Sequence, residues 1–333
     1  MKLRIPKPVR TTGTLGPVYT LWAAASINKC SEFAVPFPVE FSFRPHRMNP
    51  LVAHIVSGHS FFTGISLLVC GVLLSSREAR IWKRLAFLAC VVGVLGIALS
   101  STAIPYWLYA IAITITTGWL VSLPKKKWRR RMTIATVSVW IVAAAIELPF
   151  HTVPQLEPIE SRGVTIIGDS VTAGVGGDET SETWPAILQR EHGLAVQDIS
   201  HVGETAASAL KRATAVKIES PLVIVEIGGN DVLGSTSAAR FERDLDALLS
   251  HLQAPNRQIV MFELPLPPFF HEYGRVQRKV AANHNVALIP KRVFLTVLAG
   301  GDSTLDTIHL SQAGHQAMAN AVWDVVGEAI TSQ

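Results

Sequence analysis

No Asp, Glu, Lys or Arg occurs between Leu51 and Ser75, and none between Leu85 and Leu123. Thr133 to Ile146 is equally bare, and only Glu147 interrupts the run before Phe150. A soluble core helix carries a polar stripe at 3.6-residue spacing. These runs have none, which excludes an ordinary globular first half. Cysteine is absent after Cys90, so residues 161–333 hold no disulfide; Cys30, Cys70 and Cys90 all lie in the first half and leave the compartment open. The sequence also lacks an HExxH helix, paired cysteines and a GK[ST] ending to any glycine-rich loop. It therefore carries no metal or phosphate-loop signature, and no cofactor is expected.

The uncharged runs divide into 51–75, 85–104, 106–123 (after Pro105) and 133–150. Each is roughly 18–25 residues, enough to cross a hydrocarbon core of about 30 Å as a helix. Trp82, Tyr106, Trp107, Trp119 and Trp128 fall near their ends, where amphipathic rings settle. The expectation is an all-α region of four transmembrane helices over 51–150, following an N-terminal tail of residues 1–50. Residues 1–160 hold 17 Lys+Arg against 6 Asp+Glu, and residues 161–333 hold 13 against 19. Basic residues that punctuate apolar runs point to membrane lipids as partner and away from nucleic acid.

The short loops set the orientation. Segment 76–84 carries Arg77, Arg80, Lys83 and Arg84, and "PKKKWRRR" at 124–131 carries six more basic residues. The opposite side has Arg44, Arg47 and Arg162 nearest the helices. Placing the two basic loops in the cytoplasm puts residues 161–333 on the extracytoplasmic, periplasmic side. Met1–Ile27 has the basic start of a signal peptide, but glycine and proline interrupt its apolar middle. His54 and His59 have a relay reading and a helix-packing reading. Five-residue spacing would put them on different faces of one helix, which favours packing.

Residues 151–162, with two prolines, suit a linker. From 163 onward short aliphatic runs alternate with helical ones. Strands are expected at 164–167, 195–199, 222–227, 258–263 and 286–289. Helices are expected near 183–192, 205–217, 236–253 and 271–284, with a last one after a Ser311 cap to about Ile330. This alternation predicts parallel βαβ crossovers and a three-layer α/β domain over 163–333. In such sheets sites gather beyond the carboxyl ends of the strands.

Within that frame, "VTIIGDSVTAG" at 164–174 is a strand that ends at Asp169-Ser170 and turns directly into a helix start. Ser and Asp are common N-caps. The alternative is a nucleophilic Ser170, placed where backbone N–H groups favour a developing negative charge. The other chemically able residues also follow strands: Gly203 in "SHVGETA", Asn230 in "GGND", and Asp306 and His309 in "TLDTIHLSQAGH". Together they permit acyl transfer. His309 would take the serine proton, Asp306 would fix the imidazole tautomer, and the Ser170 and Gly203 N–H groups with the Asn230 amide would receive the oxyanion. A histidine base implies a rate that falls toward acid pH.

"GDS" at 168–170, Gly203, "GGND" at 228–231 and "DTIH" at 306–309 resemble, in order, the four blocks of the SGNH (GDSL) hydrolases. "TWPAILQ" at 183–189 and "LVIVEIGGND" at 222–231 are similar to the bacterial periplasmic thioesterase/lysophospholipase (arylesterase) group. The resemblance covers most of the second half and none of the first. It implies a flavodoxin-like domain, a Ser170–His309–Asp306 triad, Ser170, Gly203 and Asn230 as oxyanion donors, ester or thioester substrates and no cofactor. Val171 replaces the common leucine after the serine, and Thr307 stands where glycine often follows the acid; both bear on subfamily.

Other residues have quieter readings. His315 suits packing or capping, His201 either lines the cleft or sits on the surface, and Asp169 and Asp231 suit turn-holding hydrogen bonds. "LPLPPFF" at 264–270 lines an acyl groove or simply packs. The expectation is a membrane-anchored serine esterase acting on small-molecule or lipid-like esters. An acyltransferase or O-acetyl esterase of envelope glycans, and a non-catalytic binding module, are the alternatives.

Overall fold

The structure is a computed structural model that describes residues 48–175, 181–305 and 308–331. It opens with helices α1 (Pro50–Val56), α2 (His59–Leu74), α3 (Arg80–Leu99), α4 (Tyr106–Ser122) and α5 (Lys126–Glu147), ending in a 3₁₀ turn at Leu148–His151. Arg80–Leu99 and Lys127–His151 are each long and apolar enough to cross a membrane; Tyr106–Ser122 is apolar but shorter. The expected single helix over 51–75 is instead two, α1 and α2, bent by 88°. The bend sits at Gly58, whose φ of 84° lies in the left-handed region that glycine tolerates without penalty. As one broken element the pair gives a third span, so the apolar region holds two to three spans by length and composition.

The bend also overturns the separation expected of His54 and His59. Their ring centroids lie 6.1 Å apart, and His151 stands 5.6 Å from His59. Backbone approach holds the bundle together. A methyl group added at Gly64 would lie 2.7 Å from the Gly93 carbonyl oxygen, and one at Gly93 would meet Gly64 equally closely, so α2 and α3 pack main chain to main chain. Trp119, expected at a helix end near the interface, is buried in the bundle core with Leu108, Val139 and Trp140.

The second half is a five-stranded parallel sheet in the order β2-β1-β3-β4-β5. The strands are β1 (Gly163–Gly168), β2 (Ala195–Asp198), β3 (Leu222–Glu226), β4 (Gln258–Phe262) and β5 (Ala287–Ile289). Between and after them run α6 (Ser170–Ala173), α7 (Trp184–His192), α8 (Ala206–Thr214), α9 (Gly229–Leu233), α10 (Ala238–Leu252), α11 (His271–Asn283), α12 (Lys291–Leu298) and α13 (Gln312–Thr331). Alternate residues of each central strand face opposite layers. Val164, Ile166 and Ile224 pack with α7 and α13, while Ile167, Val223 and Val225 pack with α8, α10 and α11.

The two halves meet along the carboxyl edge of β4 and β5. Lys291, the residue after Pro290, is buried and donates from Nζ to the Ser101 carbonyl at 2.9 Å. Arg278 of α11 donates to both Glu147 oxygens at 2.6 and 2.8 Å and to Glu263 at 2.7 Å. Arg275 stacks over Tyr106, 3.5 Å from its ring centre. Residues 151–162 are more than a spacer. Glu157 and Gln258 exchange two hydrogen bonds, Ile159 N–H donates to Ala329 O at 2.8 Å, and the Ile159 side chain is buried in the core. The reason is topological: β1 must be entered from its amino end, whereas the bundle sits at the carboxyl edge. The segment therefore crosses the height of the sheet, about 17 Å for five strand residues.

Candidate active site

β1 delivers Ser170 to the carboxyl edge of the sheet. Asp169 is the N-cap of α6, its Oδ1 accepting the Val171 N–H at 3.0 Å. That leaves the Ser170 hydroxyl facing His309, with Oγ 3.2 Å from Nε2. For the serine to donate in this pair, the ring must carry its proton on Nδ1. Asp306 and Thr307 lie outside the described residues.

Asn230, the second residue of α9, reaches back to the same point. Its Nδ2 donates to Asp169 Oδ2 at 3.0 Å and to the Glu204 carbonyl at 3.1 Å. Gly203 precedes Glu204 with a φ of 76°, and a methyl group added there would meet nothing within 4 Å. Open space above a left-handed turn lets the main chain be approached closely at this position. The loops after β1, β2 and β3 are thus joined through one amide side chain.

Sequence reasoning gave Glu226 no role. It closes β3 and is buried, accepting from the Asp169 N–H at 3.3 Å and the Thr172 hydroxyl at 2.9 Å. Burial pushes both Asp169 and Glu226 above the usual carboxylate range, and the neighbouring Asp169 charge adds to the effect on Glu226. The signal was present as one acid ending the otherwise aliphatic "LVIVE".

Asp231 is buried and caps α8, Oδ2 accepting the Ala206 N–H at 2.9 Å. Burial pushes its pKa up to about 6. His315 packs in the core, its Nδ1 accepting the Trp184 N–H at 3.3 Å. His201 is exposed beside Glu204, 3.6 Å away. Leu264 and Leu266 are buried, whereas Phe269 is 74% exposed with a φ of 73°.

The profile of the GDSL-like lipase/acylhydrolase family matches residues 166–317. Esterase TesA of Pseudomonas aeruginosa is 31% identical over 177 residues, which are 49% of this chain and 87% of that protein. Thioesterase 1/protease 1/lysophospholipase L1 of Escherichia coli is 31% identical over 137 residues, 38% of this chain and 64% of that protein. Among solved structures, the crystal structure of TesA is 28% identical with a TM-score of 0.45, covering 50% of this chain and 99% of its own. AlinE4, an SGNH-hydrolase family esterase, is 28% identical with a TM-score of 0.39, covering 51% and 97%. By its second half, this chain belongs to the GDSL-like lipase/acylhydrolase, or SGNH, family.

Proposed function

We propose that this protein is a membrane-anchored serine ester hydrolase working through an acyl-enzyme on Ser170. The observation that carries the reading is the Ser170 Oγ to His309 Nε2 distance of 3.2 Å, at the strand edge where Gly203 and Asn230 converge. Ser170 Oγ attacks the ester carbonyl carbon while its proton passes to His309 Nε2. The carbonyl oxygen becomes the oxyanion, accepting from the Ser170 and Gly203 N–H groups and from Asn230, which gives up its bond to the Glu204 carbonyl. Collapse expels the alcohol or thiol with the proton from His309, and water deacylates Ser170 by the same route. Asp306 serves as the acceptor that holds the imidazole. The esterase and thioesterase names of the relatives support esters or thioesters as substrates.

Anchoring is supported by the two long apolar helices. The hydrolase half packs on Ser101, Ile104, Glu147 and His151, at the bundle end opposite the basic segments 76–84 and 124–131. That disposition favours an extracytoplasmic site.

The test uses full-length protein in detergent, wild type beside Ser170→Ala, with a fluorophosphonate probe and p-nitrophenyl esters from acetyl to palmitoyl. Labelling and turnover confined to the wild type support the mechanism. Turnover that survives in Ser170→Ala removes Ser170 from it.

A further inference from the structure

The strand edge that carries the site is also the edge that docks on the apolar helices. All five strands are parallel, so their carboxyl ends lie on one rim. Ser170 follows β1 and Asn230 follows β3; Glu263, which accepts from the Arg278 that binds Glu147, and Lys291, which donates to Ser101, follow β4 and β5. At about 4.8 Å per strand, β1 is only about 10 Å along the rim from β4. A run of contacts fills that distance. A methyl group at Gly228, beside the Asn230 loop, would lie 2.8 Å from Leu264; one at Gly274 would lie 3.2 Å from Leu266 and 2.9 Å from Ala103 of the bundle. The attachment is a buried ion network, so the rim is held at a fixed height above the helices.

Three separate elements expose large apolar side chains at this same end of the bundle. Helix α1 lies nearly perpendicular to α2 with Leu51 and Val52 exposed, the disposition of a helix lying flat in an interface. Tyr106 and Trp107 are exposed at the start of α4. Phe269 is exposed on the loop after β4, two residues before α11, the helix that packs on Ala103 and Tyr106. A large ring exposed to water is unfavourable, and the left-handed φ of Phe269 fixes where its ring projects. Seated in an interface, the ring has an apolar partner, as Trp and Tyr belts do.

Building on the membrane-anchored hydrolase proposed above, we infer that the catalytic rim rests on the bilayer surface with Phe269 dipped into it. The substrate is then an acyl ester resident in that leaflet, drawn sideways into the site. Water-dissolved esters reach Ser170 only as poor surrogates. The orientation is a property of the docked rim and holds whichever lipid carries the ester.

The test reconstitutes full-length protein in phosphatidylethanolamine/phosphatidylglycerol vesicles with two probes, bilayer-borne 4-methylumbelliferyl palmitate and aqueous p-nitrophenyl acetate. Phe269→Ser is expected to lower kcat/KM for the palmitate about five-fold, the loss of one ring's interfacial anchoring, and to leave the acetate rate unchanged. Equal losses on both probes, or none on either, overturn the inference. A second measurement reads position without activity. Phe269→Cys, in a chain with Cys30, Cys70 and Cys90 replaced by Ala, carries a bimane. Quenching by nitroxide-labelled lipid supports the seating; quenching by aqueous iodide alone overturns it. Acetate hydrolysis abolished by Ser170→Ala separately reports the hydrolase reading, so the two can fail independently.

Discussion

Arg278 holds Glu147 with two hydrogen bonds across the junction of the apolar helices and the α/β half, at 2.6 and 2.8 Å, with both side chains buried. Glu263 takes the remaining edge of the guanidinium at 2.7 Å. Glu263 and Glu147 keep Arg278 firmly protonated against the opposing effect of burial. The arrangement is a buried triad with one cation between two anions, and Lys291 stands 3.9 Å from Glu263.

Removing the cation leaves Glu147 with only the His151 ring at 3.4 Å and Glu263 with only Lys291 at 3.9 Å, whereas removing Glu147 leaves Arg278 its bond to Glu263. Arg278→Met is therefore expected to destabilise by about 3–5 kcal/mol, and Glu147→Gln by clearly less. Thermal unfolding in detergent checks the order. Equal losses would mean that the pair, and not the triad, is the energetic unit.

Asn230→Ala removes the amide assigned to the oxyanion while leaving Ser170 and His309 in place. The expected fall in kcat is about 100- to 1000-fold with KM little changed. Steady-state kinetics on p-nitrophenyl acetate measures it, and a fall below about tenfold would take Asn230 out of the oxyanion role.

Asp231 gives a pH signature. Its pKa is near 6 in the folded chain because of burial, against an ordinary value of 3.8. The folded state thus binds this proton more tightly than the unfolded one, and stability falls as pH rises from about 4 through 6. Asp231→Asn keeps an acceptor for the Ala206 N–H and cannot ionise. Its melting temperature should exceed that of the wild type at pH 7.5, with the gap closing as pH is lowered through 6 toward 4. A gap independent of pH would show that Asp231 is not titrating in this range.

Gly64→Val puts carbon where the Gly93 carbonyl stands. Helices α2 and α3 must then separate, and no side-chain rotation relieves the contact because its partner is backbone. The purified variant should unfold at lower temperature in detergent, by about 1–3 kcal/mol as for overpacked cores, while Ser170 labelling below the transition persists. Unchanged melting would indicate that the two helices do not pack main chain to main chain.

The α/β half was readable because β1, β3 and β4 are short aliphatic runs, and β1 and β3 end in glycine-containing turns. Every expected strand overlaps an observed one, the helices at 184–192, 206–214, 238–252 and 271–283 fall within the expected ranges, and the last helix, Gln312–Thr331, ends one residue past the expected Ile330. Helix α12 went unread because "KRVFLTVL" is short and follows Pro290 directly. The break at Gly58 was hidden for a different reason: periodicity reports apolarity, and a lone glycine in an apolar run does not announce a positive φ. Glu226 and Arg278 illustrate a third limit. Their meaning depends on partners 57 and 131 residues away in the chain, at Asp169 and Glu147, and no local pattern carries that.

The strap of residues 151–162 has a practical consequence. It meets the last turn of α13 at the amino edge of the sheet, where the Ile159 N–H donates to the Ala329 carbonyl. On the proposed seating, a label on the last turn of α13 would stand on the side of the hydrolase facing bulk water. Immobilisation through a label on the last turn of α13 would leave the rim and its lipid contact unobstructed, which suits single-molecule or biosensor work on supported bilayers.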